Sequence, residues 1–483
     1  MMGTTIRIIW AITWRTLLFI VVVGTGLWWM NRDDRWDANA VINSTSNRVE
    51  GRAGLIVVGL AQPERFEPKF FVNFLEKLLG EAIPWPINVI AGADRGVVLM
   101  DPGHAFATAR FEPEALADIW GNKKDIDGVD WIEKYRRGET RWEKPSATVP
   151  HDTGFFLYPA RKQGMRTVAA KTSAKARYIY YASLPGGILP HYRQTIDMAE
   201  RGIEIAKARN PIIAADFADA FDPSQKEQAV RRVLDSGIDT LILASVQPIH
   251  SDFEELRGSF SGVHKIVEAW RKEHGGKRIN IAIAPYLASQ PSFDQLWLDH
   301  FERTVPPATK TGQSAMGIIT QHGLPVAMIA KDSWSGRVKS VTDRLKPKMA
   351  AILKRKGYGD VRVETGPEGF GDMLEDPDNV VTSVSEFFAI GRAQKRTIAI
   401  ALPIEFLSEN TDTLFAHAAL MFDGLPGYKT YQGPAADTDW SKPYVRQFRQ
   451  GQTMQIYAGS PGGDYQELAS AALATSIGSL FKK

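Results

Sequence analysis

The chain has 483 residues, of which 44% are Ala, Val, Ile, Leu, Met, Phe, Trp, Tyr or Cys and 23% are charged, enough apolar material for about three domain-sized units and too much for a disordered protein. Lys and Arg number 58 against 55 Asp and Glu, a net charge of +3, and so small an excess does not supply the clustered basic face that nucleic-acid binding needs. The absence of Cys excludes disulfides, thiolate nucleophiles and Cys-ligated zinc or iron–sulfur sites.

Residues Ile8 to Met30, IIWAITWRTLLFIVVVGTGLWWM, carry Arg15 as their one charge. At about 1.5 Å rise per residue such a run crosses a ~30 Å hydrocarbon layer, which predicts one transmembrane helix. Trp10, Trp14, Trp28 and Trp29 stand near its ends, where amphipathic rings favour the headgroup region. Arg7 and Arg15 lie on its N-terminal side, and Arg32, Asp33, Asp34, Arg35 and Asp37 follow it with net negative charge. The positive-inside rule then predicts a single-pass protein of the inner or equivalent membrane, its N-terminus cytoplasmic and its main domain periplasmic. The alternative is a cleaved signal peptide, with Ala38-Asn39-Ala40 as the small-residue site.

From about Arg52 the chain alternates short β-branched runs with longer amphipathic stretches, the pattern of βα units on a parallel sheet. The clearest predicted strands are Gly54 to Val58, Thr240 to Ala244, Ile279 to Ala284, Gly317 to Thr320 and Thr397 to Ala401. Gln225 to Ser236, Ser335 to Lys356 and Thr411 to Met421 repeat apolar residues at three- and four-residue spacing and predict helices. Gly366-Pro367-Glu368-Gly369-Phe370-Gly371 reads as a loop.

The sequence also repeats itself. TLILASVQPIHSDFEEL from Thr240 aligns without a gap on TIAIALPIEFLSENTDT from Thr397, pairing Thr240 with Thr397, Ser251 with Ser408, Asp252 with Glu409 and Glu255 with Asp412. GLIVVGLAQP from Gly54 resembles GIITQHGLP from Gly317. The layout is an anchor over 1–36 with its span at about 8–30, a linker over 37–51 and a first α/β half over 52–285 with an insertion at about 85–176. A second half follows over 286–460, then a C-terminal tail or helix over 461–483. Two doubly wound, Rossmann-like halves put ligand sites beyond the carboxyl ends of their strands. That singles out His322, His250, Asp252, Glu405, Glu409, Asp412 and His417.

Thr320-Gln321-His322-Gly323-Leu324-Pro325 resembles the S-A-H-S/G-L-P signature of ferrochelatases, class II chelatases that insert Fe²⁺ into a porphyrin. Pro403 to Phe415, PIEFLSENTDTLF, resembles their second signature, P-I/V-x-F-x-S/A-D-H-x-E-T/V-L-Y, with Asn410 at the family's His and Asp412 at its catalytic Glu. Gly59-Leu60-Ala61-Gln62-Pro63 and Gln247-Pro248-Ile249-His250-Ser251 are weaker echoes, and the resemblance runs in order from 52 to about 440. It departs at Asp219 and Asp222, where the family has Arg and His, and at Ala416 and Leu420, where it continues a row of acids.

The resemblance implies a chelatase-type fold of two α/β halves and no resident cofactor, with Fe²⁺ or another divalent metal and a porphyrin as substrates or ligands. His322 would accept the pyrrole protons, a task suited to a pKa near 6.5. Asp412 would be the second catalytic group, His322, Glu409 and Asp412 would face the metal, and His250, Trp334 and Phe406 would touch the macrocycle. Three readings follow: a membrane-anchored ferrochelatase-like enzyme; an inactive relative that binds tetrapyrrole or metal or serves as a subunit of a membrane complex; and a tethered bilobed solute-binding module hinged at about 285–316.

Overall fold

The computed structural model describes residues 45–66, 70–71, 98–100, 141–143, 155–157, 177, 180–181, 183–220, 222–322, 332–368, 383–422, 424–429 and 433–481. The expected membrane span at 8–30, residues 37–44 of the linker, most of the 85–176 insertion and the Gly323-Leu324-Pro325 turn lie outside them. Among the described residues no helix is long and apolar enough to cross a membrane.

The first half begins with β1 (Thr45–Ser46) and β2 (Ala53–Gly59). Three short strands follow, β3 (Val98–Met100), β4 (Arg141–Glu143) and β5 (Phe155–Leu157), paired antiparallel in the order β3-β5-β4. The chain continues through α1 (His191–Arg209), β6 (Ile212–Asp219), α2 (Pro223–Asp235), β7 (Thr240–Ser245), a π-helical segment (Asp252–Phe260), α3 (Ser261–Glu273), β8 (Asn280–Ile283) and α4 (Pro291–Thr304). The second half runs β9 (Ser314–His322), α5 (Trp334–Arg355), β10 (Asp360–Glu368), α6 (Val384–Ala393), β11 (Ile398–Pro403), a π-helical segment (Asp412–Ala416), α7 (His417–Phe422), β12 (Arg446–Gln450), β13 (Thr453–Tyr457) and α8 (Gln466–Ser479).

The two main sheets have the orders β1-β8-β7-β2-β6 and β10-β9-β11-β13-β12. All pairs are parallel except β12 with β13. Apart from the two-residue edge strand β1, the chain in both sheets runs from an inner strand (β2, β9) to the edge beside it (β6, β10) and then crosses back to the other side (β7, β11), so the loops after β2 and β7, and after β9 and β11, diverge and leave a crevice at that switch point.

The duplication read from the sequence is thus a duplication of topology, and its repeated threonines do the same work. Thr240 Oγ1 accepts the Glu50 N–H at 3.1 Å and Thr397 Oγ1 accepts the Ser314 N–H at 3.3 Å, each tying the third strand to the lead of the first. One alignment shifts. Gly54 pairs with Leu241, but Gly317 pairs with Ile400, two residues further on than the threonine alignment requires. Ala315 is therefore the partner of Gly54 in the duplication, and a shift of two keeps each side chain on its face. Gly366, Pro367 and Glu368 also differ from expectation, ending strand β10 opposite Thr320, Gln321 and His322. Strand β10 is an edge strand, where the missing N–H of Pro367 can be tolerated.

Strand β2 is buried at every position, as parallel strands covered on both faces are. Leu55 and Val57 enter a central core, while Ile56 and Val58 face the outer cluster built with α2 and α3. Strand β11 divides in the same way, Ile400 and Leu402 inward, Ala399 and Ala401 against α6 and α7. The central core is shared: α1, α4, α5 and α8 contribute Met198, Trp297, Leu345 and Leu473 between the two sheets.

The helices cross over between the halves. Helix α8 packs on α1, and α4 packs on α5 and on α8. Close approach of α8 to α1 requires Gly202, since a Cβ there would stand 2.6 Å from Leu473 Cδ2. The stretch in which a solute-binding reading places its hinge thus contains α4, whose Leu296, Trp297 and Phe301 are fully buried. Truncating the fully buried Leu473 to Ala is expected to cost about 2–5 kcal/mol and to lower the stability of both halves together. Chemical denaturation followed by tryptophan fluorescence checks this, and a loss confined to one of two separate transitions would contradict the shared core.

Candidate functional site

Strand β9 ends at His322, the half-buried residue that opens onto the switch point of the second half. Its backbone N–H donates to Glu405 Oε2 at 2.6 Å, and Trp334 Nε1 at the start of α5 donates to Glu405 Oε1 at 2.7 Å. Glu405 therefore clamps the end of β9, the loop after β11 and the start of α5 together. Burial pushes its carboxyl up to about 8, outweighing those two donors. Phe406 lies edge-on to the His322 ring with centroids 6.0 Å apart and 5.3 Å from that of His417, and the two imidazoles are 6.2 Å apart.

Behind His322 the β9–β10 ladder sets Glu368 beside it. Glu368 is buried, accepts a short hydrogen bond from Thr320 Oγ1, and places Oε2 2.9 Å from His417 Nδ1. Burial works against charge on His417, but the carboxylates of Glu368 and Asp412 outweigh it and hold the ring above its ordinary pKa. His417 heads α7 directly after five residues that form a π turn, which widens the helix by a residue.

Asp412 opens that turn. Its Oδ1 accepts from Arg177 Nη2 at 2.7 Å, both side chains keeping 18% exposure. Burial raises its pKa, yet Arg177 and the imidazoles of His417, His322 and His191 bring it below the usual carboxylate range. His191 comes from the other half, at the first turn of α1. Its Nδ1 accepts the Gln62 N–H at 3.0 Å, which fixes the tautomer with the proton on Nε2, and burial drops its pKa to about 4 against the pull of Asp412. Gln62 Oε1 also accepts the Thr411 N–H at 3.1 Å, so one residue of the turn after β2 orients both His191 and the lead of the π turn.

Glu409 and Asn410 are placed differently. The oxygens of Glu409 accept from the Ser460 N–H at 2.8 Å and Thr413 Oγ1 at 2.6 Å, and a side chain at Gly459 would meet Oε1 at 2.7 Å. Burial raises the Glu409 pKa despite Arg446 and these donors. Asn410 Oδ1 accepts the N–H groups of Asp412 and Thr413 at 2.8 and 2.9 Å and so caps the turn. The buried Arg446 donates to the carbonyls of Thr413 and Leu414 from the other side, its guanidinium 4.8 Å from the Tyr457 ring centre.

The structure thus brings His322, Asp412, Trp334 and Phe406 to one switch point, with Glu409 anchored just beneath it. His250 sits in the equivalent loop of the first half, buried against Phe260 and Tyr286, its ring held neutral down to about 3 by burial and by Arg337. Arg177, His191 and Glu368 complete the second-half site and are not legible in its motifs. Gln62 was marked by its Gly/Pro turn, but its double hydrogen bond needs both halves in place. Among the described residues no three His, Asp or Glu side chains converge as a ready ligand set for a metal ion.

Fold and site together define a two-half α/β protein with an imidazole–carboxylate cluster at one of its two switch points. The sequence matches no known family profile and no curated protein. Among solved structures it is similar to SirB from Bacillus subtilis with Fe3+, at 8% identity over 59% of this chain and 88% of that one, with a TM-score of 0.34. It is also similar to the sirohydrochlorin chelatase SirB from Bacillus subtilis subspecies spizizenii in complex with cobalt, at 8% identity over 60% and 89% with a TM-score of 0.31. A third similar structure is DR2241 from Deinococcus radiodurans, a multi-domain protein described as structurally similar to chelatases, at 12% identity over 60% and 50% with a TM-score of 0.28.

The two buried imidazoles should titrate far apart. In histidine ¹⁵N NMR, His191 is expected to stay neutral on acidification to about pH 4, while His417 keeps its proton above its ordinary value of 6.5. Because the folded pKa of His417 is raised, its stabilising contribution is complete below pH 6.5 and fades as pH rises through the folded value. A His417→Gln variant should lack that alkaline loss in denaturation curves. Coincident titration of both rings near 6.5 would contradict the described field.

Proposed function

We propose that this chain is a chelatase-type enzyme that inserts a divalent metal, Fe²⁺ first among candidates, into a porphyrin-type tetrapyrrole. The observation that carries this reading is the placement of His322 at the switch point with a second acid, Asp412, and a second imidazole, His417, grouped around it. Insertion exchanges two pyrrole protons for one M²⁺, so the site must accept protons close to where it presents a cation. His322, half-exposed at a strand end, is the proton acceptor. Asp412, ionised and partly open, faces the metal, and borderline ions such as Fe²⁺ suit carboxylate and imidazole. Phe406 and Trp334 form the apolar wall beside the imidazole. Glu409 acts by holding the π turn that carries Asp412 rather than by touching the reacting atoms.

A second reading is favoured by one contact. Arg177 on Asp412 puts a guanidinium where the metal would be received, the arrangement expected of a subunit that binds tetrapyrrole without turnover in a membrane complex. In either case the apolar segment 8–30 is the anchor, with the α/β halves on the periplasmic side. A reporter enzyme active only outside the cytoplasm, fused after residue 483, should be active. Activity of a cytoplasm-only reporter in its place would reverse the topology.

The deciding experiment adds Fe²⁺, Co²⁺ or Zn²⁺ to the purified full chain with protoporphyrin or coproporphyrin and follows fluorescence and absorption. His322→Ala should lower the insertion rate by about 10²–10⁴-fold with an unchanged circular dichroism spectrum. Porphyrin binding without insertion would support the second reading, and loss of folding in the variant would remove His322 from the proton-accepting role.

A further inference from the structure

The Arg177–Asp412 contact has the features of an exchangeable pair rather than of a permanent brace. It is made through one carboxylate oxygen, at 2.7 Å, and both partners remain 18% exposed. A bidentate, fully enclosed pair would be the stronger lock. While paired with Asp412, the Arg177 guanidinium also lies 5.7 Å from the centre of the Tyr180 ring, and that ring stacks flat on Phe415 at 4.8 Å. Phe415 belongs to the same π turn as Asp412. The guanidinium can therefore leave the carboxylate while staying against an aromatic face, where cations are attracted to the ring quadrupole.

Asp412 cannot remain uncompensated when that happens. It is faced by His417, His322 and His191, of which His191 accepts the Gln62 N–H at Nδ1 and His417 is already engaged by Glu368 at 2.9 Å. A carboxylate with a cation beside it and restricted access to water accepts a replacement cation readily and tolerates a vacancy poorly.

We infer that Arg177 is an internal competitor for the divalent cation at Asp412, a specificity-determining residue that sets how tightly the metal must bind before the carboxylate is released to it. This rests on the chelatase reading of the site and adds to it an order of events. The guanidinium moves onto Tyr180, Asp412 takes M²⁺, and the guanidinium returns as the metal leaves for the macrocycle. No bond other than the ion pair is broken, and charge at the carboxylate is balanced at each stage.

The experiment titrates Co²⁺ and Zn²⁺ into the full chain by calorimetry and by Co²⁺ visible absorption, comparing the wild type with Arg177→Gln, Arg177→Lys, Asp412→Asn and the Arg177→Gln/Asp412→Asn double variant. Coupling across close charge pairs implies that Arg177→Gln binds about tenfold tighter or more. Arg177→Lys should lie between, since it keeps the charge but loses the planar fork, and the double variant should lose the whole gain. Equal or weaker cation affinity in a folded Arg177→Gln, with binding still lost in Asp412→Asn, would overturn the competitor role and leave the chelatase reading in place. Binding insensitive to Asp412→Asn in both backgrounds would overturn Asp412 as the metal-facing acid, and the competitor role with it. Should Arg177→Gln fail to fold, Arg177→Lys decides, because affinity no tighter than wild type overturns the inference.

Discussion

The parallel ladder around β9 fixes where each chemistry-bearing group stands. Pairing with β10 sets Glu368 level with His322, and pairing with β11 sets Pro403 level with Thr320, so Glu368 and the segment after β11 that carries Glu405 and Asp412 start from one height at the sheet end. The inward side chains of the same strands are committed to the core shared with α1, α4, α5 and α8. A one-residue slip would exchange the central-core and outer-cluster faces throughout β9. The hydrophobic demand that specifies the register therefore also specifies the site, and the polar contacts only refine it.

Much of this could be read from the sequence because parallel strands buried on both faces are continuous β-branched runs. Thr240 to Ser245 and Ile398 to Pro403 announce themselves, and the threonines that open the two repeats, Thr240 and Thr397, mark the duplication. Strand β10 is harder to read, since an edge strand may carry Pro367 and polar residues that elsewhere would argue for a loop. His322, Asp412, Trp334 and Phe406 were legible because each lies in or next to a local motif. Arg177, His191 and Glu368 were not, because each reaches the site from an element distant in sequence, and no spacing rule links them. Glu409 shows the opposite limit. Its motif position is right, but its role follows from the Ser460 and Thr413 hydrogen bonds, which a sequence does not display.

The two halves share a scaffold but not a chemistry. The first-half equivalents of Glu409 and Asp412 are Asp252 and Glu255. Asp252 accepts from Ser333 and pairs with Arg337, while Glu255 is buried and accepts the Ser251 N–H at 2.6 Å. Asp252 joins the first-half loop to the start of α5 and Glu255 closes that loop on itself, so one switch point serves as a joint while the other gathers imidazoles and carboxylates. Gln62 works in the reverse direction, tying a first-half turn to the second-half site through His191 and Thr411.

The π turns are common to the two halves. Both halves carry one at the same place after their third strand, Asp252–Phe260 and Asp412–Ala416, and Phe260 occupies in the first the position that His417 holds in the second. A π turn is an extra residue inserted in a helix, and removing it would rotate everything beyond by about 100°. The same widening thus stands at the matching place in each half, aiming an imidazole in the second and a phenylalanine in the first, so the backbone device is common to both while the proton chemistry belongs to one.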